Sequence, residues 1–299
     1  MIGLLIGGVL GLVLSAAGTP LFIRFLVKRG YGQFVRDDGP TTHKTKRGTP
    51  TMGGAVIIGS LVLAYLITHG LLAVLGVDFG GPTASGLILL LLTVGMAFVG
   101  FVDDFTKITK QRSLGLTPRG KIILQALIGT AFAVLALNFP DERGLTPAST
   151  AISFARDVPW LDLAFAGPAI GVILFVIWSN LITTATTNAV NLTDGLDGLA
   201  TGATAMITGA YVLMSLFQSS QSCALEGTRG CYEVRDPMDL ALLAAILTGS
   251  LLGFLWWNTS PAKIFMGDTG SLGLGGALAG FAIFTRTEIL VAVLAGLMV

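Results

Sequence analysis

The 299 residues are 53% hydrophobic and only 12% charged, with two histidines, two cysteines and a mean hydropathy of +0.81. A soluble domain of this size carries about a quarter charged residues, so a water-soluble globule is excluded. The net charge of +1 averages over two membrane faces and decides nothing about partners; no nucleic acid is expected among them.

Apolar runs of about the 20 residues that cross a bilayer recur along the chain. They predict helices at Ile2–Leu26, Met52–Leu75, Thr83–Val102, Ile122–Phe139, Pro168–Val190, Leu199–Phe217, Leu240–Trp257 and Ser271–Phe284. A ninth begins at Ile289 and is still running at Val299. The first run is too long for a signal peptide's apolar region and has no basic residue before it, so it reads as an uncleaved helix. The expected class is an all-α polytopic integral membrane protein, with about eight complete transmembrane helices and a truncated ninth, forming a single domain over residues 1–299. The longer connections Pro140–Gly167 and Gln218–Asp239 read as loops or short interfacial elements.

Basic residues set the orientation. Arg24, Lys28, Arg29, Arg36, Lys44, Lys46 and Arg47 surround the first connection, Lys107, Lys110, Arg112, Arg119 and Lys121 the third, and Lys263 the seventh. Only Arg143, Arg156, Arg229, Arg235 and Arg286 fall in even-numbered connections. The odd connections are therefore expected in the cytoplasm and the N-terminus outside. Cys223 and Cys231 then share an outer loop, where an oxidising compartment permits a structural disulfide.

Three acidic motifs also fall on the cytoplasmic side, although they did not enter that assignment: Phe101-Val-Asp-Asp-Phe105, Asn188-Ala-Val-Asn-Leu-Thr-Asp-Gly-Leu-Asp-Gly198 and Phe265-Met-Gly-Asp-Thr-Gly-Ser271. Carboxylates beside apolar segments are costly and mark function. Asp103 and Asp104 end the third run, at the negative end of a helix dipole that disfavours them. Adjacent helical positions point about 100° apart, so one is expected on metal or phosphate and the other as a base or supporting ligand. Asn188, Asn191, Asp194 and Asp197 recur every three residues, which on a helix makes one polar stripe, although Gly195 and Gly198 loosen it. Their donors and acceptors suit a nucleobase, a sugar or a cation; helix capping explains one of the four. Asp268 sits between glycines, where a turn lets a carboxylate hold Mg²⁺ against phosphate oxygens, and N-capping of the eighth helix is compatible with that role. Phe265 reads either as a base-stacking ring or as a membrane anchor.

The segment Lys46-Arg-Gly-Thr-Pro-Thr-Met-Gly-Gly54 combines cations with glycines just before a helix, a local chemistry that suits an anion. It lacks the spacing of a nucleotide P-loop, and a plain basic membrane-flanking loop explains it equally well. His43 and His69 have no metal-ligand spacing, and there is no Cys-x-x-Cys motif or serine–histidine pair.

Taken in order between the predicted spans, Lys46–Gly54, Phe101–Phe105, Asn188–Ala200 and Asn258–Leu272 resemble the bacterial phospho-N-acetylmuramoyl-pentapeptide transferases, a branch of the polyprenyl-phosphate sugar-1-phosphate transferases. The resemblance covers essentially the whole chain. It implies a multi-pass enzyme of the bacterial inner membrane with its site on the cytoplasmic face, Mg²⁺ dependence, and a place in the wall synthesis that supports cell shape and division. The implied reaction joins UDP-MurNAc-pentapeptide and undecaprenyl phosphate to give lipid I and UMP. It further implies Asp268 as the Mg²⁺ ligand, Lys46 as a diphosphate contact, and Asp103 on the lipid phosphate with Asp104 in support. Thr51, Asn188, Asn191, Asp194, Gly195, Leu196, Asp197, Asn258, Phe265 and Gly267 are the implied substrate-binding residues, and a homodimer is the implied assembly. Family members have about ten helices and a histidine-rich loop before the last, so this chain is expected to be C-terminally truncated, and inactive as it stands if that loop is essential. Rival readings are a sibling transferase for GlcNAc-1-phosphate and a transporter, whose carboxylates belong near the bilayer midplane.

Overall fold

A computed structural model describes residues 1–31, 48–77, 79–111, 114–226 and 230–296. Lys46, His43 and the remainder of the first basic loop lie outside the described residues.

Ten helices follow in chain order among the described residues: α1 (Ile2–Arg29), α2 (Gly54–Val74), α3 (Ala84–Thr109), α4 (Pro118–Ala136), α5 (Pro168–Thr193), α6 (Leu199–Ser220), the short α7 (Cys223–Glu226), α8 (Pro237–Asn258), α9 (Gly267–Phe284) and α10 (Glu288–Gly296). Seven of them (α1 to α6 and α8) are long and apolar enough to cross a membrane. In lipid a spanning backbone must satisfy its own polar groups, which the helix does within one segment. The starts carry local signals. The Thr83 and Thr117 hydroxyls accept from Gly86 N and Gly120 N, and Pro118, Pro168 and Pro237 occupy first-turn positions where no N–H is needed.

Several boundaries differ from the sequence reading. α3 continues past Val102 to Thr109, so the two aspartates lie inside a helix instead of ending it. α9 begins at Gly267, which puts Asp268 in a first helical turn, not in a free turn between glycines. Its N-cap is Met266, with no side-chain cap. Between α4 and α5, in a connection read as a loop or short interfacial elements, an antiparallel pair forms, β1 (Ala151–Ser153) and β2 (Asp157–Asp162), with Ala151 opposite Asp162 and an irregularity before Ser153. Cys223 and Cys231 form a disulfide across the short connection between α6 and α8.

The centre of the bundle is α9. Every residue from Thr269 to Phe284 is buried, although six of its 18 residues are glycines. Several of those glycines explain the burial, because without a Cβ they let neighbouring helices approach closely. A Cβ on Gly275 would meet the backbone of Thr187 in α5, and one on Gly273 or Gly276 would press on Ala97 or Met96 in α3. Near the N-terminus of α9, Gly54 of α2 packs against the backbone of Gly270, and Gly100 of α3 against the carbonyl of Asp268. A similar close fit joins α1 to α8, where Gly249 and Gly253 face the carbonyls of Gly8 and Leu12.

Candidate active site

The C-terminal half of α3 and the first turn of α9 meet through Gly100, and that contact brings three carboxylates together. One oxygen from each of Asp103, Asp104 and Asp268 lies within 4.8 Å of the others. The helix continues through the aspartate pair, yet both serve one cluster, because their partners arrive from different elements. Asp104 turns to α9, where it accepts from Asp268 N at 3.2 Å, Thr269 N at 2.9 Å and the Thr269 hydroxyl at 2.7 Å. Asp103 turns the other way and accepts from Leu116 N at 2.8 Å, in the connection to α4. Both are almost fully buried. The N–H groups at the start of α9, unsatisfied within their own helix, thus hold Asp104, while the positive end of the helix faces the acidic cluster.

Two lysines that the sequence reading did not single out complete the cluster. Lys107 sits one turn after Asp103 and places Nζ 2.6 Å from Asp103 Oδ2, 3.9 Å from Asp104 Oδ1 and 3.1 Å from Asp268 Oδ2. Lys121, in the first turn of α4, lies 2.7 Å from Asp268 Oδ2. Lys107 was legible from its i,i+4 relation to Asp103. Nothing local in the sequence ties Lys121 to a residue 147 positions away.

The second motif splits. Asn191 donates to Asp268 Oδ1 at 2.9 Å and to the Ser271 hydroxyl at 2.7 Å, so it belongs to the cluster. α5 ends at Thr193, so the four polar residues do not form one helical stripe. Asp194 caps that end, half-buried. Withdrawal from water, followed by the charges of Asp268 and Asp104, holds its carboxyl well above the usual carboxylate range, partly offset by the backbone N–H of Gly267. Asn188 is exposed and donates to Thr184 O in its own helix. Gly195 and Leu196 are exposed, and Asp197 accepts from Ala262 N at 3.3 Å.

The third motif is braced from behind. Phe265 N donates to Pro50 O, and Gly53 N and Gly54 N donate to Phe265 O and Met266 O, pairing the chain before α2 with the chain before α9. Gly267 has φ of 72°, a left-handed conformation that glycine adopts freely. A Cβ there would lie 2.7 Å from Asp104 Oδ2 and 2.9 Å from the Thr51 hydroxyl. Thr51, buried, is thereby placed against the cluster. Asn258 is also buried, and both ends of its amide are engaged: Oδ1 accepts from Thr201 at 2.7 Å and Nδ2 donates to Ile264 O at 3.0 Å. Its visible role is to fix the 258–265 connection.

Chemically, three clustered carboxylates with an amide and hydroxyls nearby are hard oxygen donors of the kind Mg²⁺ prefers, and two ammonium groups at their edge suit phosphate oxygens. The donor set therefore fits a divalent cation shared with a phosphorylated substrate.

The chain is also similar to known proteins. Residues 86–286 match the profile of glycosyl transferase family 4, and residues 46–58 match phospho-N-acetylmuramoyl-pentapeptide-transferase signature 1. A phospho-N-acetylmuramoyl-pentapeptide-transferase of Micrococcus luteus is 99% identical over the whole chain, which spans 80% of that protein. Proteins of the same name from Pseudarthrobacter chlorophenolicus and Kocuria rhizophila are 65% and 61% identical over the whole chain, which covers 82% and 79% of their lengths.

Proposed function

Since the chain belongs to the phospho-N-acetylmuramoyl-pentapeptide-transferase family within glycosyl transferase family 4, we propose that it transfers phospho-N-acetylmuramoyl-pentapeptide from its UDP carrier to undecaprenyl phosphate, giving lipid I and UMP. The observation that carries the reading is the meeting of Asp103, Asp104 and Asp268 with Lys107 and Lys121 at one end of a membrane bundle.

In this reaction an oxygen of the lipid phosphate forms a bond to the β-phosphorus of the donor. The bond from that phosphorus to the oxygen bridging it to the α-phosphate breaks, and the bridging oxygen leaves with UMP. A phosphate monoester is already largely ionised near neutrality, its second pKa being about 6, so positioning and charge neutralisation matter more than a strong base. Asp268, with Asp103 and Asp104 beside it, would hold Mg²⁺, which neutralises diphosphate charge when bound. Lys121 and Lys107 present cations to the same oxygens, and Asn191 fixes the Asp268 carboxylate from the side opposite Lys121 in the bonding scheme, through Oδ1 instead of Oδ2. Thr51, Asp194, Gly195, Leu196, Asp197, Phe265 and Gly267 surround the donor's nucleotide end, with Asn188 at the outer edge and Asn258 acting through the connection it fixes. Lys46 contacts the diphosphate.

The site faces the cytoplasm in this reading. Two features support it: the basic residues gather at the site end of the helices, and the Cys223–Cys231 disulfide lies at the opposite end, as an oxidising exterior requires. We further assign the chain to a bacterial inner membrane and to a homodimer, on the family resemblance.

The test is UMP release from UDP-MurNAc-pentapeptide with undecaprenyl phosphate in detergent, run beside UDP-GlcNAc. Turnover that requires the muramoyl donor and vanishes with EDTA supports the proposal. Equal or faster turnover of UDP-GlcNAc overturns the donor assignment, and full activity in EDTA overturns the metal.

A further inference from the structure

At the site end of the bundle a separate open pocket of about 530 Å³ lies between the last turns of α1, the chain before α2 and the connection after α8. Its walls are mainly apolar, with Pro20, Ile23 and Val27 on one side and Trp257 on the other, and two cations, Arg24 and Lys263, stand at it. Trp257 is fixed, its indole N–H donating to Ala16 O at 3.0 Å. Lys263 is fixed on Trp257, with its backbone N–H on Trp257 O and its ammonium 5.0 Å from the ring centroid. Among the described residues neither Arg24 nor Lys263 has an acidic partner. Leu21, Phe25 and Val27 are exposed on the same stretch of α1, as expected for a surface that meets acyl chains.

We propose that this pocket binds an anionic phospholipid, its phosphate between Arg24 and Lys263 and an acyl chain along Pro20, Ile23 and Val27. Charge complementarity selects an anion, and the apolar walls select one that carries a chain. An interfacial tryptophan beside a cation at a helix end is a common arrangement at the headgroup level. The pocket is distinct from the place where the acceptor must react. The carboxylate cluster is drawn from α3, α4, α5 and α9, and none of Asp103, Asp104, Lys107, Lys121, Asn191 and Asp268 lines the pocket.

The experiment is native mass spectrometry of the 299-residue protein released from neutral detergent after mixing with equal amounts of phosphatidylglycerol and phosphatidylcholine. The wild type is expected to retain the anionic lipid about 10- to 30-fold over the neutral one, the effect of two cations at a headgroup. R24Q/K263Q should lose that preference, while R24K/K263R keeps it, and so does K28Q/R29Q, which removes equal charge outside the pocket. The conservative pair guards against a folding defect in the first variant. Preference that survives in R24Q/K263Q, or disappears in K28Q/R29Q, overturns the site. Displacement of phosphatidylglycerol by millimolar inorganic phosphate, or one-for-one by undecaprenyl phosphate, also overturns it, in favour of a free-anion site or an acceptor site. The measurement needs no turnover, so its outcome is independent of the transfer reaction.

Discussion

Buried carboxylates occur at both ends of this bundle, and they are treated in opposite ways. At the end away from the candidate site, Asp239 in the first turn of α8 is surrounded by donors. Tyr65 at 2.8 Å, the Thr83 backbone at 3.2 Å and the Thr83 hydroxyl at 2.6 Å serve Oδ2, and His69 Nε2 at 3.0 Å serves Oδ1. His69 Nδ1 in turn faces the Gly80 carbonyl at 3.2 Å. One acid is thus closed off by four contacts, and the cluster ties α2, α3 and α8 together. At the other end three acids share two lysines, a concentration of negative charge that packing alone does not require. The comparison separates a polar cluster that completes a fold from one that is built to take a further charged group.

The strongest way to break that distinction is Asp268→Asn. The amide keeps the shape and loses the charge to which Lys107, Lys121 and Asn191 all point. UMP release should fall by about a thousandfold or more, the scale on which preorganised electrostatic groups act, while expression and Tm stay near wild type. Near-normal turnover would remove Asp268 from the reaction.

Lys121→Met probes the cations on the same side. It keeps most of the stem and removes the ammonium 2.7 Å from Asp268, so a loss of about 10- to 100-fold in kcat/KM is expected for one electrostatic contact. Retained kcat/KM would mean that Lys121 only neutralises its neighbour. Gly100→Ala then tests placement instead of chemistry. The added methyl meets the Asp268 carbonyl, and overpacking of this kind costs about 1–3 kcal/mol. Turnover should drop by about tenfold, because α9 must shift along α3 for the helices to accommodate the methyl. An unchanged rate would show that the spacing between the two helices is not critical.

Much of this was legible in the sequence, and what was not has physical reasons. Long apolar runs locate α1 to α6 and α8, because a bilayer dictates their length and composition. The same rule found most of α9 as Ser271–Phe284 but not its first turn with Asp268, nor that this glycine-rich helix is almost wholly buried. Asp103, Asp104 and Asp268 stood out because carboxylates are rare beside such segments, and the structure brings them together. The three-residue spacing from Asn188 to Asp197 misled, since spacing describes a stripe only while the helix lasts, and α5 stops at Thr193. Lys121 and the Asp239 cluster depend on contacts between distant helices, which no local pattern records. The Pro140–Gly167 connection could be read only as a loop or short interfacial elements, because two short strands with an irregular register leave almost no periodicity to identify the β1–β2 pair.

The smallest expected effect on turnover comes from Asp239→Ala, and that is what makes it informative. Removing the acid leaves Tyr65, His69 and Thr83 without their buried acceptor, and breaking a buried charged pair typically costs about 3–5 kcal/mol. Thermal unfolding should therefore begin many degrees lower, and the yield of folded protein should fall. Per folded molecule, however, UMP release should stay within about twofold of wild type, because the chemical contributions of residues that share no partners add independently. Asp239 lies at the start of α8 and the carboxylate cluster joins the end of α3 to the start of α9, with no hydrogen-bonded residue in common. A drop in specific activity as large as the loss for Lys121→Met, measured on the folded fraction below the unfolding transition, would mean that the two ends are coupled through α3. The helix capped by Thr83 at one end would then set the position of Asp103 and Asp104 at the other.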